Sequence, residues 1–169
     1  MSSSELTNDE KRQIANERQN AVRKAWEIEA SRVKTGVGTR TWSKEEQEEI
    51  LKRGSVRGYE GHHMKSVSLF PQYAREPKNI QFLTEEEHLY GAHNGNYHNL
   101  TNGYYDPYQE KMIEFQGDEL LEIPEVNLEQ NEEIQLKNEI VNSYIECDQI
   151  SEIDNTVVEN LEASNSYEV

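Results

Sequence analysis

The chain has 169 residues, only 34% of them hydrophobic, and a formal net charge of −16. That length suits one modest domain, and so low an apolar content argues against every segment being packed. No apolar run is long enough to span a bilayer, the polar start MSSSELTNDEKRQ lacks the apolar stretch of a secretory signal, and the single Cys147 excludes an internal disulfide or a cysteine-based zinc cluster. A soluble chain, cytoplasmic as it stands, is the expectation.

From Asn8 to Lys34 the sequence predicts a polar helix, with Ile14, Ala21, Ala25, Ile28 and Val33 spaced roughly at turns and no Pro or Gly before Gly36. Ser43 with Glu46 has capping-box spacing and opens a second helix that Gly54 stops. Trp26 and Trp42 read as core residues. Ser55 to Met64, rich in Val, Tyr and Gly, suits a short strand or turn. Pro71 and Pro77 bracket a loop, Ile80 to Leu83 alternates as a second strand, and Thr84 with Glu87 forms another capping box. Asn94 to Pro107 is Asn, Gly and Tyr rich, the composition of an irregular loop.

The charge divides sharply at Asp106-Pro107. Residues 1–106 hold 15 basic and 16 acidic side chains, a balance of −1, whereas residues 107–169 hold 2 and 17, a balance of −15. The global acidity therefore does not weigh against nucleic-acid binding by the first part. Beyond residue 107, Val126 to Cys147 has helical potential and the remainder has the composition of a solvated tail. Three regions follow: helical residues 1–54, a core at 55–106 and an acidic extension at 107–169.

All five histidines, at 62, 63, 88, 93 and 98, lie within one stretch of 37 residues. On a strand, His62 and His63 point to opposite sides, so one can bind metal while the other faces substrate. His88 and His93 follow on the predicted helix, giving three imidazoles for one cation and a fourth as base. This combination suits phosphodiester hydrolysis, where a divalent cation stabilises the developing charge and a neutral imidazole takes a proton from water. Arg53 and Arg57 are candidate phosphate-binding residues beside the histidines.

Gly58-Tyr59-Glu60-Gly61-His62-His63, Pro77-Lys78-Asn79-Ile80, Glu87-His88 and His93-Asn94-Gly95-Asn96 together resemble the HNH superfamily, specifically bacterial toxin nucleases with a Gly-His-His signature. The resemblance covers roughly residues 22 to 105, including Gly-Thr-Arg-Thr-Trp at 38 to 42. It implies an α+β protein with a ββα-metal core, in which His62, His88 and His93 are ligands and His63 is the general base. Asn79 would fix the intervening loop, and Glu60 matches an acidic position of colicin-type DNases. The implied cofactor is a divalent ion (Zn, Mg, Ni or Mn). The implied substrate is DNA, with RNA the alternative, and the implied protein partner is a cognate immunity protein. Such a chain would serve as the toxin part of an exported protein. A non-enzymatic protein holding a structural zinc is the rival, and a closed four-ligand site would mark it.

One feature departs from the family pattern, where the helix histidines stand four residues apart and not five. Five residues advance an α-helix by about 140° beyond one turn, which would turn His93 away from the metal. Either Gly91 marks a π-bulge that restores an i, i+5 alignment, or the helix ends and His93 reaches in from the loop.

Overall fold

A computed structural model describes residues 6–129 together with 136, 137 and 139–141. The chain divides into two units, Met1–Leu128 and Glu129–Val169, and the site belongs to the first. Most of the helix expected over Val126 to Cys147, and Cys147 itself, lie outside the described residues.

Helix α1 runs Asn8–Lys34, starts on a reciprocal Thr7–Glu10 capping box and carries Arg32 and Lys34 in its last turn, where they complement the helix dipole. It buries Ala21, Ala25, Trp26, Glu29 and Val33. Ile28, expected on the buried face, is exposed, and the larger ring of Trp26 takes that role. After the two-residue strand β1 (Val37–Gly38), α2 (Lys44–Arg53) opens on the anticipated Ser43–Glu46 box and ends at Gly54, whose φ of 79° suits glycine.

Strands β2 (Tyr59–His63) and β3 (Ile80–Thr84) pair antiparallel, with His63 opposite Ile80 and Tyr59 opposite Thr84. Helix α1 packs on this pair. Trp26 stacks on Phe82 with ring centroids 3.7 Å apart, and Trp42, Ile50, Val56 and Ile80 complete the main cluster. Both tryptophans are therefore core residues, and a stacked pair of this kind adds about 0.5–1.5 kcal/mol beyond area burial. Gly61 lets helix and strand approach closely: a Cβ there would lie 2.7 Å from the Val22 side chain.

The chain then forms a π-helix, Glu87–Ala92, entered through the Thr84–Glu87 capping pair. His93 N–H donates to the His88 carbonyl at 3.1 Å, the five-residue bond that defines this winding. Gly91 passes over Tyr105, where a Cβ would sit 2.6 Å from the ring. A second cluster of Leu83, Ala92, Tyr105 and Met112 supports this segment from below.

The stretch expected to be irregular through Pro107 contains strand β4 (Gly103–Asp106), paired antiparallel with β5 (Lys111–Glu114). Its Gly and Tyr content suggested a loop, but Tyr105 is buried and Gly103 is needed because a Cβ there would strike the Ile113 carbonyl. The charge break at Asp106 falls inside the first unit. Beyond it, Phe115 and Leu128 are core residues, and β6 (Val126–Asn127) pairs with β1. The architecture is α+β, with a ββα-type arrangement of β2, β3 and the π-helix.

Candidate metal centre and its cleft

His62 leaves β2 toward the π-helix, and the ligand nitrogens of His62, His88 and His93 all lie within 4.8 Å of one another. Each pair of rings is separated by 5.0 Å. The π winding is what makes this possible, since it brings residues five apart onto one face. Of the two routes open for His93, the bulge at Gly91 is the one the fold takes.

In His88 and His93 a contact at Nδ1 leaves Nε2 for the shared space. His88 Nδ1 lies 2.7 Å from Glu60 Oε2, and His93 Nδ1 lies 2.8 Å from the Asn99 carbonyl. A carbonyl oxygen only accepts, so His93 Nδ1 carries the proton and its Nε2 lone pair is free. Asn99 returns a bond from its side-chain amide to the His93 carbonyl at 2.8 Å, locking the loop. His62 is 2% exposed and its Nε2 is buried without a hydrogen-bond partner. Burial, then the neighbouring imidazoles, hold His62 well below the usual histidine range, and burial lowers His93 as well. Neutral imidazoles with fixed outer hydrogen bonds are the form and orientation that a cation requires. The residues present therefore fit a divalent metal, and the orphaned Nε2 of His62 is the observation that tests this.

His63 points the other way. Its Nε2 donates to the Ala74 carbonyl at 3.2 Å, and burial pushes its pKa down to about 4. Neutral with Nε2–H, the ring keeps a lone pair on Nδ1. Asn79, fully buried, ties the loop between β2 and β3. Its Oδ1 accepts from Lys65 N–H at 2.8 Å, and its Nδ2 donates to the Lys65 carbonyl at 3.0 Å and the Tyr73 carbonyl at 3.4 Å. It thus holds the turn carrying Ala74 without touching the cleft.

The cleft at this site has a volume of about 690 Å³. His62, His63, His88 and His93 line it, as does His98, which stands outside the three-histidine cluster. Arg53 and Arg57 do not. They sit at the end of α2 beside Glu49, 3.2 Å and 3.9 Å from its carboxylate. Their proximity in sequence to the histidines is not proximity in space, because Gly58 turns the chain between them with φ 86°.

Sequence reading missed three participants and the role of a fourth. Ala74 acts through its carbonyl, which no side-chain pattern reveals. Asn99 lay unremarked among loop asparagines. Tyr97 packs edge-on against His88 and tilted against His93, with centroids 5.1 and 5.7 Å away. Arg40 forks onto Glu87 at 2.9 and 3.0 Å and onto the Phe82 carbonyl at 3.1 Å, anchoring the π-helix to β3.

A Gly-His-His strand, a clasped loop, a returning strand and a helical segment with two further histidines define a small ββα-type domain of the HNH class. Residues 8–84, a little under half of the chain, match the family described as GHH signature containing HNH/Endo VII superfamily nuclease toxin. The match begins earlier than residue 22 and so includes all of α1, and it stops short of His88 and His93. Teneurin-3 of Mus musculus is 37% identical over 83 residues, 48% of this chain and 3% of that protein. Teneurin-4 of Homo sapiens is 38% identical over 71 residues (41% and 3%), and teneurin-m of Drosophila melanogaster 40% over 63 (37% and 2%). The chain thus spans about 3% of the length of the curated relatives it matches. Among the described residues no helix is long and apolar enough to cross a membrane.

Proposed function

We propose that this chain is a metal-dependent endonuclease that hydrolyses phosphodiester bonds of DNA with little sequence preference, acting as a toxin-type nuclease. The observation that carries the reading is the buried, unpartnered Nε2 of His62, aimed at the free nitrogens of His88 and His93 and set beside His63. Three imidazole ligands rather than four suit a catalytic site that keeps a position for substrate or water. This favours hydrolysis over a structural zinc.

In this reading His62, His88 and His93 hold a divalent ion: zinc, magnesium, nickel or manganese. When bound, the ion supplies Lewis-acid stabilisation of charge on the phosphate and leaving oxygen. His63 takes a proton from water at Nδ1, while its Nε2–H stays bonded to Ala74 and keeps the ring from turning. Glu60 orients His88 toward the ion. Asn79 keeps the Ala74 carbonyl in place through its bond to the Tyr73 carbonyl. The little sequence preference follows from the lack of any recognition module among the described elements. A cognate immunity protein that blocks the cleft would accompany a toxin of this kind.

A plasmid-nicking assay with EDTA and metal add-back tests the reading, with a structured RNA incubated in parallel. Conversion of supercoiled plasmid to nicked and linear forms, abolished by EDTA and restored by one of the four metals, is expected. Cleavage of RNA alone would reassign the substrate, and no cleavage with any metal would overturn the enzymatic reading.

A further inference from the structure

Helix α1 does more than cover the sheet. Val22 presses on Gly61, immediately before His62, and positions 18 and 14 follow on the same face at successive four-residue steps. The contact at Gly61 therefore dictates what stands over His63. Arg18 and Ile14 line the cleft with the histidines, and the charge of Arg18 acts on the His63 ring.

The cleft wall is chemically unusual for this chain. Acidic side chains number 33 in the sequence, yet among the described residues none lines this cleft. Arg18 is the one Lys or Arg among the described residues that does. It is exposed and forms no ion pair or hydrogen bond with any described residue. On the same helix Glu17 is engaged by Arg75, Arg23 pairs with Glu27, and Arg32 pairs with Glu125. A guanidinium left unpaired in a cleft without acids is matched to a phosphate, which it can hold with two parallel N–H bonds.

We infer that Arg18 is a substrate-binding residue that grips a backbone phosphate of a nucleic-acid strand lying in this cleft beside His63. The inference rests on the nuclease reading for its ligand class and assigns the electrostatic anchor to α1 in place of Arg53 and Arg57. The neighbouring Glu17–Arg75 pair ties the same stretch of helix to the turn bearing Ala74, so the anchor and the base share one frame.

The test is fluorescence anisotropy of a labelled 16-base-pair duplex with the full chain in a His63→Ala background, across a range of salt. Arg18→Gln is compared with Lys24→Gln, which removes one charge from an exposed position of α1 outside the cleft. Arg18→Gln should weaken binding at low salt by about tenfold and lower the slope of log K against log salt by about 1, with Lys24→Gln close to the parent. In the chain with His63 intact, Arg18→Gln should raise KM more than it lowers kcat. Equal effects of the two substitutions overturn the inference and leave the nuclease reading intact. Arg18-dependent binding without cleavage by the parent chain upholds the anchor and overturns the catalytic reading. No binding to the duplex or to its separated strands overturns the anchor.

Discussion

His63 uses one ring nitrogen to donate to Ala74 and leaves the other free, so its substitution separates two roles. His63→Ala should lower cleavage roughly 10²- to 10⁴-fold while metal binding by calorimetry stays near the parent value. Loss of metal on that substitution would make His63 a ligand. His62→Ala and His88→Ala should instead weaken the metal itself, because each removes a converging nitrogen. Glu60→Gln keeps a hydrogen-bonding partner for His88 but removes its charge, so metal affinity should fall by about 10- to 100-fold, with His88→Ala weaker still. Unchanged affinity in Glu60→Gln would leave the carboxylate no part in orienting the ligand.

At the scale of elements, two glycines mark where the site depends on close approach. Gly91 allows the π-helix to cross Tyr105, and a methyl group there meets the ring at 2.6 Å. Overpacking of this kind costs about 1–3 kcal/mol, so Gly91→Ala should lower the midpoint of chemical denaturation. It should also weaken metal binding, since the winding that aligns His88 with His93 is displaced. A variant that loses stability yet keeps parental metal affinity would show that the π-helix does not depend on this contact. The loop between β2 and β3 depends on Asn79 in the same way. Asn79→Ala leaves the buried Lys65 N–H and carbonyl without their partner, at a cost of about 1–3 kcal/mol for each group left unsatisfied.

For the whole molecule, the decisive stretch is 107–128, acidic in composition yet integral to the first unit. Lys65, buried between the Phe70 and Phe115 rings, donates to Asn102 Oδ1 and to the Gly117 carbonyl, and Lys78 is paired with Glu122. Truncation after Asp106 removes Phe115, Gly117, β5 and β6 and should abolish cooperative thermal unfolding, whereas truncation after Glu129 should preserve it. Retained cooperativity in the shorter chain would show that β5 and β6 are dispensable. If the longer truncation folds, comparing its DNA affinity with that of the full chain isolates the effect of the remaining acidic residues. A gain confined to low salt is the expected sign of electrostatic masking.

Local chemistry was enough to read α1, α2, the two strands, the Thr84–Glu87 box and the histidine cluster from sequence. Caps, glycine stops and alternation all act within a few residues, and the histidines that gather in space are also close along the chain. The sequence also determined that a five-residue spacing needs special backbone, but not which of two solutions occurs. That choice depends on Tyr105, whose ring lies beneath Gly91 through contacts distant in sequence. The same physics explains the other omissions. Strand β5 is paired by β4 despite its charge, and Arg53 and Arg57 face Glu49. Arg18 reaches His63 from 45 positions away only because α1 lies against Gly61. Sequence spacing specifies which groups can share a helix turn or a strand face, and only the packing of helix on strand decides which charge stands beside which histidine.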